Sequence, residues 1–78
     1  MEYNVISILV REPVKVGSKL QDVLSLYGCV IRTRLGLNRE EIAGGIILME
    51  LNGDQNQINL LISELNEIEG IEFKQIII

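Results

Sequence analysis

The amino-acid sequence predicts an α+β fold built in the order strand, helix, strand, strand, helix, strand. Three observations predict it. Two segments carry apolar residues at helical spacing, and each is followed closely by a glycine. Four short segments rich in Ile, Val and Leu lie around them with the period or length of strands, and "REP", "NREE" and "NGD" mark the joints.

Residues 2–10, "EYNVISILV", are rich in β-branched side chains and too short for a stable helix, so they read as the first strand. "REP" breaks it. From Val14 onward Val16, Leu20, Val23, Leu24 and Tyr27 fall on one helical stripe, with Pro13 in the first helical position and Gly28 expected as a left-handed stop. Gly17 lies near the start of this helix, where it costs up to ~1 kcal/mol relative to alanine. "CVIRTRLGL", residues 29–37, has period two and forms the second strand. A polar tip, "NREE", joins it to a third strand from about Ile42 to Leu51 as a hairpin. Asp54, with Gln57 three residues on, resembles a capping box opening a second helix whose stripe is Ile58, Leu61, Ile62, Leu65 and Ile68. Gly70 closes that helix, and "IEFKQIII" is the last strand. This is the ferredoxin-like split arrangement, a four-stranded antiparallel sheet of order 4-1-3-2 with two helices on one face, and residues 1–78 are expected to make one domain.

Alternation assigns the faces. Cys29, Ile31, Thr33, Leu35 and Leu37 are expected under the helices, and Val30, Arg32, Arg34 and Gly36 on the open face, because two unpaired guanidinium groups in a core would cost several kcal/mol each. Ile6, Ile8, Val10, Gly45, Ile47, Met49, Leu51, Ile71 and Phe73 are expected inward. Val5, Leu9, Val30, Ile46, Leu48 and Ile76 then leave an open face too apolar for a solvated monomer. A homo-oligomer, dimer or tetramer, would bury it, with Arg32 or Arg34 pairing with Glu50 or with a partner's carboxylates.

Composition narrows the function classes. The chain is 47% apolar with one proline, which excludes disorder. Seven Lys and Arg against eleven Asp and Glu give a net charge of −4, which repels phosphate backbones and anionic membranes, so no direct nucleic-acid or membrane partner is expected. A lone Cys29, a start without the pattern of a signal peptide and the lack of a long apolar run point to a soluble cytoplasmic protein. With no histidine and one inward cysteine, no metal site or cofactor is expected. Glu40 and Glu41, like Glu64, Glu67 and Glu69, read as solvated surface rather than catalytic carboxylates, and no enzyme is expected. An acylphosphatase-like site lacks its glycine loop after the first strand, a metal chaperone its CxxC, and an RNA-recognition motif its exposed aromatics and basic charge.

"YGCVIRTRLGL", the Gly-containing strand "IAGGIILMELNG", the aspartate-started second helix and the closing "EIEGIEFKQIII" together resemble the small family of proposed iron-only hydrogenase system regulators. That family looks like a branch of the ACT-like ferredoxin folds and is similar to the C-terminal domain of nickel-responsive repressors. Tyr27 and Gly28, followed by Arg34, Leu35 and Gly36, are its most family-like residues. The resemblance implies an oligomeric regulatory module without catalysis, acting for a partner system. It also implies a small-effector site at the first loop and helix start, here "REPVKVGS". Arg11, Val14 and Gly17 are the ligand-binding candidates there, with Arg34 from the second strand. Nickel sensing is not expected, since those repressors use histidines. The alternative is a structural assembly or protein-interaction module with no small ligand. The chain offers no segment for a helix-turn-helix, so direct transcription control would need another protein.

Overall fold

The computed structural model describes residues 2–38 and 44–78. β1 (Asn4–Val10) leads into α1 (Pro13–Leu26), and β2 (Ile31–Asn38) and β3 (Gly45–Leu51) follow. After them come α2 (Gln55–Asn66) and β4 (Ile71–Ile77). Every pairing is antiparallel and the strand order is β2-β3-β1-β4, so β1 and β3 are central, as the sequence predicts. The chain is therefore an α+β, ferredoxin-like βαββαβ fold. The predicted hairpin tip and the start of the third strand at Ile42 fall on residues 39–43, outside the described residues.

The core lies between the sheet and the helices because the two periodicities meet there. Ile6, Ile8 and Val10 point to one side of β1 at every second position, and Met49 and Leu51 do the same on β3. Val16, Leu20, Val23 and Leu24 from α1 and Ile58, Leu61 and Leu65 from α2 close over them. Phe73 and Ile71 pack on the rim of this cluster.

The helix ends differ from one another. Asp54 caps α2 through Oδ1, which accepts from the backbone N–H of Asn56 at 2.7 Å and of Gln57 at 3.4 Å, so the aspartate half of the predicted capping box is present. α1 starts on Pro13 with no side-chain cap. Gly28 is not the left-handed stop expected of it. Among the described residues positive φ is confined to Gly53 (120°) and Gly70 (92°). The chain leaves α1 instead through successive three-residue bonds, from the N–H of Gly28 to Ser25 O, of Val30 to Tyr27 O and of Ile31 to Gly28 O. Such bonds need no left-handed residue.

β2 departs most from simple alternation. Its register with β3 shifts between Ile31 and Thr33, so Ile31 pairs with Leu51, Thr33 with Glu50 and Arg34 with Met49. Arg32 is the extra residue, and every side chain after it changes face. Thr33, Leu35 and Leu37, expected inward, lie on the open face beside Glu50, Leu48 and Ile46, while Arg34 and Gly36, expected outward, lie on the helix side beside Met49 and Ile47. The expected start of the strand is also reversed, because β2 begins only at Ile31. Val30 is 2% exposed and belongs to the core, not to the open face, whereas Cys29 is exposed rather than packed inward. The turn out of α1 carries both, and strand alternation does not reach them.

Glu64 also departs from the solvated position expected of it. It is half-buried on α2, and its Oε2 is buried without a hydrogen-bond partner. Opposite stands Tyr27 at the end of α1, whose phenol pKa is raised from the usual 10.0, first by burial and then by hydrogen bonding to, and the negative charge of, Glu64. This pair joins the ends of the two helices.

Two outcomes test these ends. Asp54→Ala is expected to lower the unfolding free energy by about 1 kcal/mol in a denaturant titration, and Asp54→Asn by much less. Because the Tyr27 pKa is raised in the folded state, its contribution is complete below pH 10, the unfolded value, and is lost as pH rises through the folded value. Thermal melts from about pH 8 to about pH 11 should therefore show a steeper alkaline loss for the native chain than for Tyr27→Phe.

Candidate functional site

Three regions carry the residues singled out by the sequence. The first is the turn between β1 and α1. Its backbone is fixed by the Arg11 N–H donating to Gly70 O at 2.9 Å, and Pro13 presets the first helical φ. Gly70 is required there: a Cβ at this position would stand 2.7 Å from Val16 Cγ1 and 3.2 Å from Glu12 Oε2. Val14 projects wholly into solvent, with a relative exposure of 101%. Around it, Arg11, Glu12, Pro13, Val14 and Lys15 line a shallow hollow of about 580 Å³.

The electrostatics of this hollow are those of a neutralised turn. Arg11 Nη2 lies 2.7 Å from Glu72 Oε2 on β4 and its Nε donates to the same oxygen at 2.9 Å. Lys15 Nζ lies 3.6 Å from Glu12 and 3.9 Å from Glu69. All these groups are well exposed, so each pair contributes at most about 1 kcal/mol and can be exchanged for an incoming anion at little cost. The first turn of α1, beside them, has no side-chain cap for its backbone N–H groups, that of Val14 included.

The second region is a cleft of about 300 Å³ between the first half of α1 and the β2–β3 pair. Gly17, Gly36 and Gly45 line it with Gln21 and Leu20. A Cβ at Gly17 or Gly36 would meet nothing within 4 Å, so the missing side chains are what open the cleft. Arg34 joins this region through its Nη2, which donates to Gln21 Oε1 on α1. The four ligand-site candidates thus separate: Arg11 and Val14 line the turn, Gly17 and Arg34 border the cleft, and Pro13 belongs to both walls.

The open face of the sheet is the third. Pairing registers order it in three rows across β2, β3, β1 and β4. Thr33, Glu50, Val5 and Ile76 make one row. Leu35, Leu48, Ser7 and Lys74 make the next, and Leu37, Ile46, Leu9 and Glu72 the third. Of the interface candidates, Val5, Leu9, Ile46, Leu48 and Ile76 stand on this face, Arg32 sits in the bulge at its edge, and Val30 and Arg34 do not belong to it. Leu35 and Leu37 were missed by sequence reasoning. The only sequence signal for them is that an arginine at position 34 and apolar residues at 35 and 37 must occupy opposite faces, which leaves the choice of face open. Among the described residues no group of three or more His, Cys, Asp or Glu side chains could hold a metal ion, and no helix is long and apolar enough to cross a membrane.

These features meet a consistent set of relatives. A family model described as "TM1266-like: Iron-only hydrogenase system regulator, putative" matches residues 2–75. No curated protein matches the sequence. Among solved structures the chain is similar to uncharacterized protein TM1266 from Thermotoga maritima, with a TM-score of 0.82 and 22% identity, over 99% of this chain and 95% of that one. It is also similar to "a putative PII-like signaling protein" from Thermus thermophilus, with a TM-score of 0.52 and 10% identity, over 100% of this chain and 89% of that one. At these identities the two structures establish the shared fold. The family rests on the sequence itself, and with its model spanning residues 2–75 the chain belongs to the TM1266-like family.

Proposed function

We propose that this chain is a non-enzymatic, homo-oligomeric regulatory module that senses a small ligand on behalf of a partner protein, in the setting of an iron-only hydrogenase system. The observation that carries the reading is the family match over residues 2–75, whose description is that of a regulator. The fold shared with a PII-like signalling protein supports the same class. The turn between β1 and α1 is where a ligand would sit. There a backbone N–H without a side-chain cap, the exposed Val14 and the exchangeable cations Arg11 and Lys15 come together on a rigid base formed by the Gly70 contact. A small anion with an apolar portion suits that combination, since the N–H and Arg11 supply the polar recognition and the half-buried Pro13 with the projecting Val14 an apolar edge. Arg34 and Gly17 at the neighbouring cleft would extend the site along α1.

A second reading is an assembly or protein-interaction module without a small ligand. It is favoured by the Arg11–Glu72 ion pair, which satisfies within the chain the cation that a ligand would use.

Native mass spectrometry of the purified protein separates the two. The expected outcome is an oligomer carrying a stoichiometric extra mass, which Arg11→Ala loses while the subunit number stays the same. A clean oligomer, with Arg11→Ala identical to the native chain, supports the assembly reading. A monomer at micromolar concentration overturns the oligomeric part of both.

A further inference from the structure

We infer that the open face of the sheet is covered by a second copy of this chain, crossed at about a right angle and held by reciprocal Glu50–Lys74 ion pairs. This rests on the oligomeric reading above and specifies its surface, its symmetry and its charges.

The composition of the face is the first argument. Val5, Leu9, Leu35, Leu37, Ile46, Leu48 and Ile76 occupy seven of its twelve positions, and five of them form one contiguous block on β2, β3 and β1. The face measures roughly 19 Å across four strands and roughly 24 Å along seven residues. Two such faces with their side-chain relief hide about 1,000 Å² or more, the area a specific protein–protein contact needs.

Charge selects the occupant. Of the ionisable groups on the face, Glu72 is already paired with Arg11. Glu50 accepts only a weak hydrogen bond, from Thr33 Oγ1 at 3.4 Å, and among the described residues neither Glu50 nor Lys74 has an oppositely charged side chain within ion-pair distance. They stand two strands and one row apart, roughly 12 Å, so they cannot reach one another within one copy. A covering surface must offer a cation opposite Glu50 and an anion opposite Lys74, with apolar groups between. This face itself carries that set.

Symmetry can be checked on the same grid. A two-fold axis lying between the sheets and parallel to the strands sets Glu50 over the partner's Val5 and Lys74 over the partner's Leu35. One perpendicular to the strands sets Lys74 over the partner's Lys74. The diagonal running from the Thr33 corner to the Glu72 corner sets Lys74 over apolar Ile46 and Leu9. Only the diagonal from Leu37 to Ile76 satisfies the charges. It places Glu50 of each copy within about 3 Å, in projection, of Lys74 in the other, given strands about 4.8 Å apart and same-face residues about 6.8 Å apart. It also seats Leu35 between the partner's Ile46 and the partner's Leu9. Reflection in that diagonal turns the strands by about 90°, one of the two ways in which sheets stack, and the contact is isologous, so both ion pairs form at once.

Charge exchange tests the arrangement. Glu50→Lys and Lys74→Glu are made separately and together, folding is checked by circular dichroism, and mass in solution is read by light scattering. Each single variant places like charges opposite one another and is expected to weaken self-association about tenfold or more. An equimolar mixture of the two single variants should form a heterodimer, and the double variant should self-associate as the native chain does. Leu35→Asp gives an independent readout and should also weaken the dimer. If the native chain associates but the charge variants associate equally well, or if the mixture fails to restore association, this interface is overturned while the oligomeric reading stands. A monomeric native chain overturns both.

Discussion

One extra residue in an edge strand decides what each side of this sheet presents. At Arg32 the register of β2 against β3 slips by one position, and because a strand alternates faces with period two, every side chain from Thr33 to Asn38 changes side. The slip is tolerated because β2 pairs on one side only, so no second neighbour is disturbed. Its consequences run in two directions. On the helix side Arg34 reaches over the rim to Gln21, and Gly36 leaves space beside α1. On the other side Leu35 and Leu37 extend the apolar surface begun by Ile46 and Leu48.

The centre of the molecule is conventional by comparison and gives those edges a rigid base. β1 is paired along its full length on both sides, with β3 and with β4, and its inward Ile6 and Ile8 are completely enclosed. Truncating either would leave a cavity that its surroundings fill only in part. The less regular features all lie at the periphery: the uncapped start of α1, the bulge in β2 and the tight turns around Cys29. Irregular connections at the surface of a regular core are the common arrangement in folded domains.

Most of the fold was legible from the residues because it rests on periodicity. The helical stripes, the two short strands of the hairpin and the aspartate cap each follow from local spacing, and the strand order follows from the split arrangement they build. The faces of β1, β3 and β4 were equally legible. Those of β2 were not, since a bulge has no composition signal at Arg32 and one inserted residue inverts the assignment of all that follow. Val30 and Cys29 were misplaced for a related reason, as they belong to a turn that extends the helix by three-residue bonds. Gly28 looked like a left-handed stop because glycine is common there, and nothing local distinguishes it from Gly70, which does take that conformation. The Tyr27–Glu64 pair joins two helices distant in sequence and could not be read from either. The candidate ligand residues were legible as a loop but not as two separate surfaces, since the division depends on which way the first turn of α1 faces.

The Arg11–Glu72 ion pair has a consequence beyond holding a turn. Arg11 belongs to the hollow at the start of α1, while Glu72 occupies a corner of the sheet's open face. An anion that takes Arg11 for itself releases a negative charge onto that face. If an anion bound in the hollow and a partner covered the sheet, the two affinities would be linked, each altering the other by the same factor. Within this fold the two positions are adjacent in space, so a single ion pair suffices to couple the helix start to the sheet surface.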